Sequence, residues 1–85
     1  MTERYVNTFR LVVASVGETL FDGAAASATL PGEAGELTLL PKHEAIVSTL
    51  KRGAVRIKTA DGSVKEFPID GGILECSHGR AVVLL

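Results

Sequence analysis

Apolar residues recur at alternate positions through most of the chain, in short runs separated by turn residues. Phe9, Leu11 and Val13 alternate with Arg10, Val12 and Ala14, which predicts a first strand with one strongly buried face. Val16-Gly17-Glu18 predicts a turn into a second strand, Thr19-Leu20-Phe21. Asp22-Gly23 is expected to end that strand, since glycine supplies the positive φ of a tight turn. Ala24 to Leu30 is alanine-rich and has helical propensity, but Ser27 and Thr29 at period two, then Pro31-Gly32, favour a strand. Glu36 to Leu40, closed by Pro41, reads as another strand. Ala45 to Leu50 follows it, apolar on alternate positions and ended by Lys51-Arg52-Gly53.

Val55 to Thr59 alternates cleanly, apolar inward and basic outward. Ala60-Asp61-Gly62-Ser63 turns it into Val64 to Ile69, the clearest hairpin signal in the chain. Pro68 cannot donate to a ladder and predicts an edge position or a bulge there. Asp70-Gly71-Gly72 turns again, Ile73 to Cys76 forms a strand, and His78-Gly79 leads into the last, Ala81 to Leu85. The expected fold is all-β, a flattened β-sandwich or barrel of about nine to ten short strands. It is expected as one domain over residues 1–85, with no linker, repeat or low-complexity tract.

Composition narrows the classes of function. A second core would need roughly 50 residues of its own, and a chain this short buries only about 60% of its unfolded surface, so a partner that adds burial would help it. The chain is 46% hydrophobic and 22% charged, with mean hydropathy +0.27, too apolar for a disordered tail. Nine Lys plus Arg against ten Asp plus Glu leave a net charge of -1, which argues against nucleic-acid binding. Cys76 is the one cysteine, so no internal disulfide or thiolate-rich zinc site can form. The longest apolar run, Ala81 to Leu85, falls far short of the roughly 20 residues of a spanning helix. The opening MTERYVNTFR has no apolar core of a signal peptide. A soluble protein of a reducing compartment is expected.

No catalytic constellation is legible. Gly71-Gly72 and Pro31-Gly32 precede no Gly-Lys-Ser/Thr and no helix start, so no phosphate cradle is expected. His43 and His78 lie far apart and outside any metal-ligand spacing, and no cofactor is implied. Cys76 reads as a core or half-buried thiol, since a nucleophile would need a basic partner. Lys51, Arg52, Arg56 and Lys58 read as a solvated strand face, with no interleaved aromatics for stacking. The segment from Leu30 to Glu44 stands apart, with two glycines, two prolines and four charges around a short apolar strand. Pro31-Gly32 and Gly35 allow a tight projecting loop that offers Glu33 and Glu36 to a partner, or simply to water as in an ordinary hairpin.

Leu30-Pro-Gly-x-x-Gly-Glu-Leu-x-x-Leu-Pro-x-His43 resembles the signature of the epsilon subunit of F-type ATP synthases. Further pieces follow in the same order. Phe9 to Ser15 is similar to the family's opening strand, and Leu20-Phe21-Asp22-Gly23 to its Phe-x-Gly turn. Leu50-Lys51-Arg52-Gly53-Ala54-Val55-Arg56-Ile57 resembles its Leu-Lys-Pro-Gly-x-x-Arg-Ile stretch. Gly71-Gly72-Ile73-Leu74-Glu75 through Val82-Val83-Leu84 resembles its ending. Lys42, Glu44 and Ala45 stand where the family has Gly, Ala and Pro, and Thr38 where it has Gly.

The resemblance implies the N-terminal β-domain of a non-catalytic central-stalk rotor subunit, without the family's C-terminal helical hairpin, and so a domain that couples rotation without braking hydrolysis. Its partners would be the gamma subunit, the c-ring and, indirectly, the catalytic head. Nucleic acid and direct membrane insertion are not implied. The expected location is peripheral, on the cytoplasmic face of a bacterial inner membrane or the equivalent face of another energy-transducing membrane. The c-ring contact carries over to Pro31, Gly32, Glu33, Gly35 and Glu36, and the gamma contact to Ser15, His43 and Ser48. Two rival readings are a biotinyl- or lipoyl-type carrier domain, which needs a modifiable lysine at a hairpin tip, and a small β enzyme using His43 or Cys76.

Overall fold

The computed structural model describes residues 7–42, 44–77 and 79–85. Among them the chain forms eight strands: β1 (Phe9–Ser15), β2 (Glu18–Gly32), β3 (Gly35–Leu39), β4 (Ile46–Leu50), β5 (Gly53–Thr59), β6 (Val64–Ile69), β7 (Gly72–Ser77) and β8 (Arg80–Leu84). Their pairings resolve into two layers. The larger runs β4-β7-β8-β1-β2 and the smaller β3-β2-β5-β6, with β2 shared by both. All pairs are antiparallel except β1 with β8.

Strand β2 is the axis of the architecture. Residues 18–25 pair with β1, and Gly32 to Ala28 pair with β3. Ala25 takes Phe9 of β1 and Thr59 of β5 as partners, and the register with β5 then skips Ala26. That bulge reverses which positions point inward. Phe21, Gly23 and Ala25 face the core before it, and Ala28, Leu30 and Gly32 after it. An extra residue in one strand bends it and increases its twist, which is how one strand leaves the first layer and enters the second.

Here the structure departs from the sequence reading. Asp22-Gly23 is not a turn, and the strand continues through it, so two expected strands are one and the total is eight. Gly23 is paired with Leu11 and Asp22 with Val12. Across the ladder Arg10 donates from Nε and Nη2 to the two carboxylate oxygens of Asp22, each at 3.2 Å. A bidentate partner one diagonal step away satisfies the carboxylate that would otherwise favour a local turn.

The other turns are as expected. Gly17 sits at φ 80 and Gly62 at φ 92 in the β1–β2 and β5–β6 connections. Pro68 of β6 opposes Ala54 of β5, and among the described residues β6 pairs only with β5, so the missing N–H is tolerated at this edge.

The core lies between the layers. Leu11, Val13, Leu74, Val83 and Ala81 from the larger sheet meet Ala28, Leu30, Val55 and Ile57 from the smaller one, all at 0–1% exposure. Burying one Leu or Ile contributes about 1.5–3 kcal/mol, so these few side chains supply most of the driving force. Strand β4 contributes less than its alternation suggests, because Leu50 is buried while Ile46 and Val47 are exposed. It is an edge strand that meets β2 only at Gly32, so little covers it.

Candidate partner-binding faces

The β2–β3 hairpin collects five of the sequence-predicted site residues. Pro31 opposes Glu36 and Gly32 opposes Gly35, leaving Glu33 and Ala34 as the tip. The two glycines serve different needs. Gly35 has φ 141, a conformation that L side chains rarely adopt. A Cβ on Gly32 would come within 2.6 Å of the Gly35 carbonyl oxygen and 3.0 Å of Leu37 Cγ, so that position is closed by space. Pro31 is half-buried and Gly32 buried, whereas Glu33, Gly35 and Glu36 are exposed. The hairpin therefore presents two carboxylates from a backbone with little freedom.

The hairpin is also fastened sideways. The Glu33 N–H donates to the Thr49 carbonyl at 3.0 Å, and the Lys51 N–H to the Pro31 carbonyl at 2.8 Å. A Cβ on Gly53 would lie 2.8 Å from Pro31 Cβ, so the β4–β5 corner is pressed against β2. Arg52 on that corner pairs with Asp70 of the β6–β7 turn at 3.7 Å, both almost fully exposed. One end of the sandwich thus brings Glu33, Glu36, Lys51 and Arg52 together. Both cations are exposed, as a solvated face requires. Their place beside the hairpin depends on a single long-range pairing, Gly32 with Leu50.

The residues carried over for the second partner are not gathered into one patch. Ser15 ends β1 and Ser48 lies in β4, both half-buried and at opposite sides of the larger sheet. With β7 and β8 between them, they are roughly 15 Å apart at ordinary strand spacing. The Ser48 hydroxyl donates to the Thr49 carbonyl at 3.1 Å. His43 lies outside the described residues.

Register sets Ser48 beside buried Leu74, and Ser15 has the parity of Leu11 and Val13, so both belong to the inward side of their strands, whereas the outer face of the larger sheet is apolar. Register aligns Val47, Glu75, Val82, Val12 and Asp22 in one row across five strands. The next outward row holds Thr49, Ile73, Leu84, Ala14 and Thr19. Val47 is 71% exposed, Leu84 55% and Ile73 48%, and no strand among the described residues lies over them. The charges on this face are Glu75, Asp22, the Arg10 that pairs with it, and Arg80 opposite Arg10. The sequence held one sign of it: Ala81 to Leu85 is apolar without alternation, the pattern of a strand covered on both sides.

Two titrating groups have settled environments. Cys76 is buried, and desolvation raises its thiol pKa, which makes it a core side chain. Asp61 is lowered from 3.8 to about 2, mainly by the Thr59 hydroxyl and then by the Ser63 N–H, which donates at 3.0 Å. It is the organiser of the β5–β6 turn.

A family described as the beta-sandwich domain of the ATP synthase delta/epsilon chain matches residues 8–85. The chain is 42% identical over 79 residues to an ATP synthase epsilon chain of Delftia acidovorans, covering 93% of this chain and 57% of that one. It is 44% identical over 77 residues to an ATP synthase epsilon chain of Bordetella petrii, covering 91% and 55%. The chain thus spans little more than half the length of these relatives. A chain in the cryo-EM structure of the Euglena gracilis mitochondrial ATP synthase, OSCP/F1/c-ring, superposes with a TM-score of 0.86 at 21% identity, over 92% of this chain and 50% of that one. One in the Tetrahymena thermophila mitochondrial ATP synthase central stalk/c-ring superposes at 0.73 with 16% identity, over 88% and 60%.

Proposed function

The chain belongs to the family of ATP synthase delta/epsilon chain β-sandwich domains, and from that membership we propose that it is a non-catalytic rotor component linking gamma to the c-ring. Relatives over 40% identical bear the epsilon-chain name. Chains sharing the fold come from ATP synthase structures described as OSCP/F1/c-ring and as central stalk/c-ring. The observation on this molecule that carries the reading is the pair of unlike surfaces it exposes. The hairpin end is polar and rigid, suited to the polar loops of a ring. The outer face of the larger sheet is apolar and exposed, suited to burial against gamma.

On this reading Glu36 and Glu33 meet the ring, with Pro31, Gly32 and Gly35 holding the hairpin in shape. Ser15, His43 and Ser48 flank the surface that meets gamma. The domain transmits torque and performs no chemistry, and it sits on the membrane through its partners, at the cytoplasmic face in a bacterium. The carrier-domain alternative gains nothing from the structure, because the β2–β3 and β5–β6 hairpin tips carry no lysine.

Co-purification tests the proposal. Tagged protein should bring down gamma, and gamma with the ring when the membrane sector is solubilised intact. Glu36→Ala should weaken the ring-containing assembly about tenfold while the isolated domain's stability stays within about 0.5 kcal/mol. Failure of the parent protein to retain gamma or ring would overturn the reading.

A further inference from the structure

Three Asp-Gly dipeptides stand in the chain, Asp22-Gly23, Asp61-Gly62 and Asp70-Gly71. In such a pair the next backbone nitrogen can attack the side-chain carboxyl carbon, because glycine has no Cβ to obstruct the approach. The fold treats the three differently. Arg10 holds both carboxylate oxygens of Asp22, each at 3.2 Å, and Gly23 lies inside the β1–β2 ladder. The Asp61 carboxylate accepts from the Thr59 hydroxyl and the Ser63 N–H, and the Gly62 N–H donates to the Thr59 carbonyl at 3.0 Å. Those bonds lower the Asp61 pKa to about 2, and an ionised carboxylate resists attack. Asp70 has neither lock. Among the described residues its charge partner is Arg52 alone, at 3.7 Å, with both side chains almost fully exposed. No hydrogen bond among those residues engages the Gly71 N–H, and Gly71 has φ 139, which glycine adopts readily. An open depression of about 330 Å³, lined by Pro68, Ile69, Asp70, Gly71 and Leu85, gives water access to the pair.

We infer that Asp70 is a modification site, at which the folded chain converts spontaneously to isoaspartate through a cyclic imide. The Gly71 nitrogen bonds to Asp70 Cγ, and its proton leaves with the carboxyl hydroxyl as one water. Hydrolysis of the imide returns one water. Opening the new bond restores aspartate. Opening the original bond, from the Asp70 carbonyl carbon to the Gly71 nitrogen, routes the main chain through Cγ and leaves the α-carboxylate free. Composition is unchanged, and water is the only co-reactant. The product carries one extra backbone carbon in the β6–β7 link, where space is short. A Cβ on Gly71 would lie 3.3 Å from the Leu50 carbonyl oxygen, and Gly72 pairs with Leu50, which pairs with Gly32. The added carbon thus falls beside the pairing that fastens the β2–β3 hairpin. This chemistry is independent of the function proposed above.

Peptide mapping of the full chain, aged in neutral buffer, tests the inference. Trypsin places the three dipeptides on separate fragments, 11–42, 59–65 and 66–80. Electron-transfer fragmentation distinguishes isoaspartate from aspartate, and labelling by an isoaspartyl carboxyl methyltransferase counts it. Isoaspartate should accumulate on 66–80 several-fold faster than on either other fragment. In guanidinium chloride the three rates should converge, since the locks on Asp22 and Asp61 belong to the fold. Asp70→Glu, at an almost fully exposed position, should remove most of the methyl labelling and leave the melting midpoint unchanged, because the larger imide ring closes far more slowly. Equal rates in the folded chain, a lead by Asp22 or Asp61, or labelling that survives Asp70→Glu would overturn the inference. So would a folded chain inert at Asp70 while the denatured chain reacts. A lead of Asp70 that persisted in denaturant would trace the reactivity to neighbouring sequence instead of the fold, and overturn it too.

Discussion

On the smaller sheet the outward positions include Thr29, Thr38, Arg56, Lys58 and Glu66, with Val64 the exposed branched residue; on the larger they include Val12, Val47, Ile73, Val82 and Leu84 beside the charged Arg10, Asp22, Glu75 and Arg80. Both sets arise from the same two-residue alternation, and both lie opposite the same core. The first face is complete in water: its long side chains keep their charges solvated, and the Arg56–Glu66 pair contributes little beyond that. The second leaves branched apolar side chains exposed on neighbouring strands, a cost that a partner's surface would remove. A small β-sandwich has two outer faces, and their unequal polarity is the ground for proposing the larger sheet's face as the one a partner covers.

The strongest test of that contrast is to charge the apolar face. Val47→Glu combined with Leu84→Lys should lower affinity for gamma at least a hundredfold, about 2.7 kcal/mol. Both side chains are more than half exposed, so the isolated domain should keep its thermal midpoint within a few degrees. Titration calorimetry and a melting curve separate the two effects, and undiminished binding would mean that gamma sits elsewhere. A smaller effect is expected at the ion pair that charges this same face. Arg10→Met removes the bidentate bond to Asp22 and should destabilise the domain by at most about 1 kcal/mol, less at high salt. A loss of several kcal/mol would show that the continuity of β2 through Asp22-Gly23 depends on this pair.

Smaller again is the change expected on the charged face. Lys58→Glu there should alter stability by no more than about 0.5 kcal/mol and leave gamma affinity within twofold, which an equilibrium binding assay can check. The smallest effect should be confined to acid. The folded-state pKa of Asp61 is depressed from 3.8 to about 2, so its carboxylate favours the folded state above pH 3.8 and ceases to do so as pH falls through about 2. Asp61→Asn should therefore narrow its stability difference from the parent across that interval, with no change in slope near neutrality. Melting midpoints recorded between pH 2 and pH 7 would show it, and a difference that vanished only above pH 5 would refute the assignment.

Local pattern was enough for the strands whose two faces differ. Phe9, Leu11 and Val13, or Val55 and Ile57 against Arg56 and Lys58, can be read directly because a pleated strand sends successive side chains to opposite sides. The hairpin at Pro31 to Glu36 was equally legible, since proline fixes φ and Gly35 takes a positive φ that other residues rarely adopt. Asp22-Gly23 misled for the complementary reason. The dipeptide has a local turn preference, but Arg10 reaches it from twelve residues away and the ladder with β1 prevails.

The same distinction divides the candidate sites. Glu36 announces itself in sequence through its neighbours Gly35 and Pro31. Lys51 does not, because its place beside the hairpin depends on Gly32 meeting Leu50, a pairing across eighteen positions. Nor could alternation say which outer face water sees, since Val82 and Lys58 are both outward residues on interior strands of their sheets. Periodicity along one strand determines which side chains share a side; only the packing of the two sheets decides which side becomes core, which stays wet, and which is left apolar for another molecule to cover.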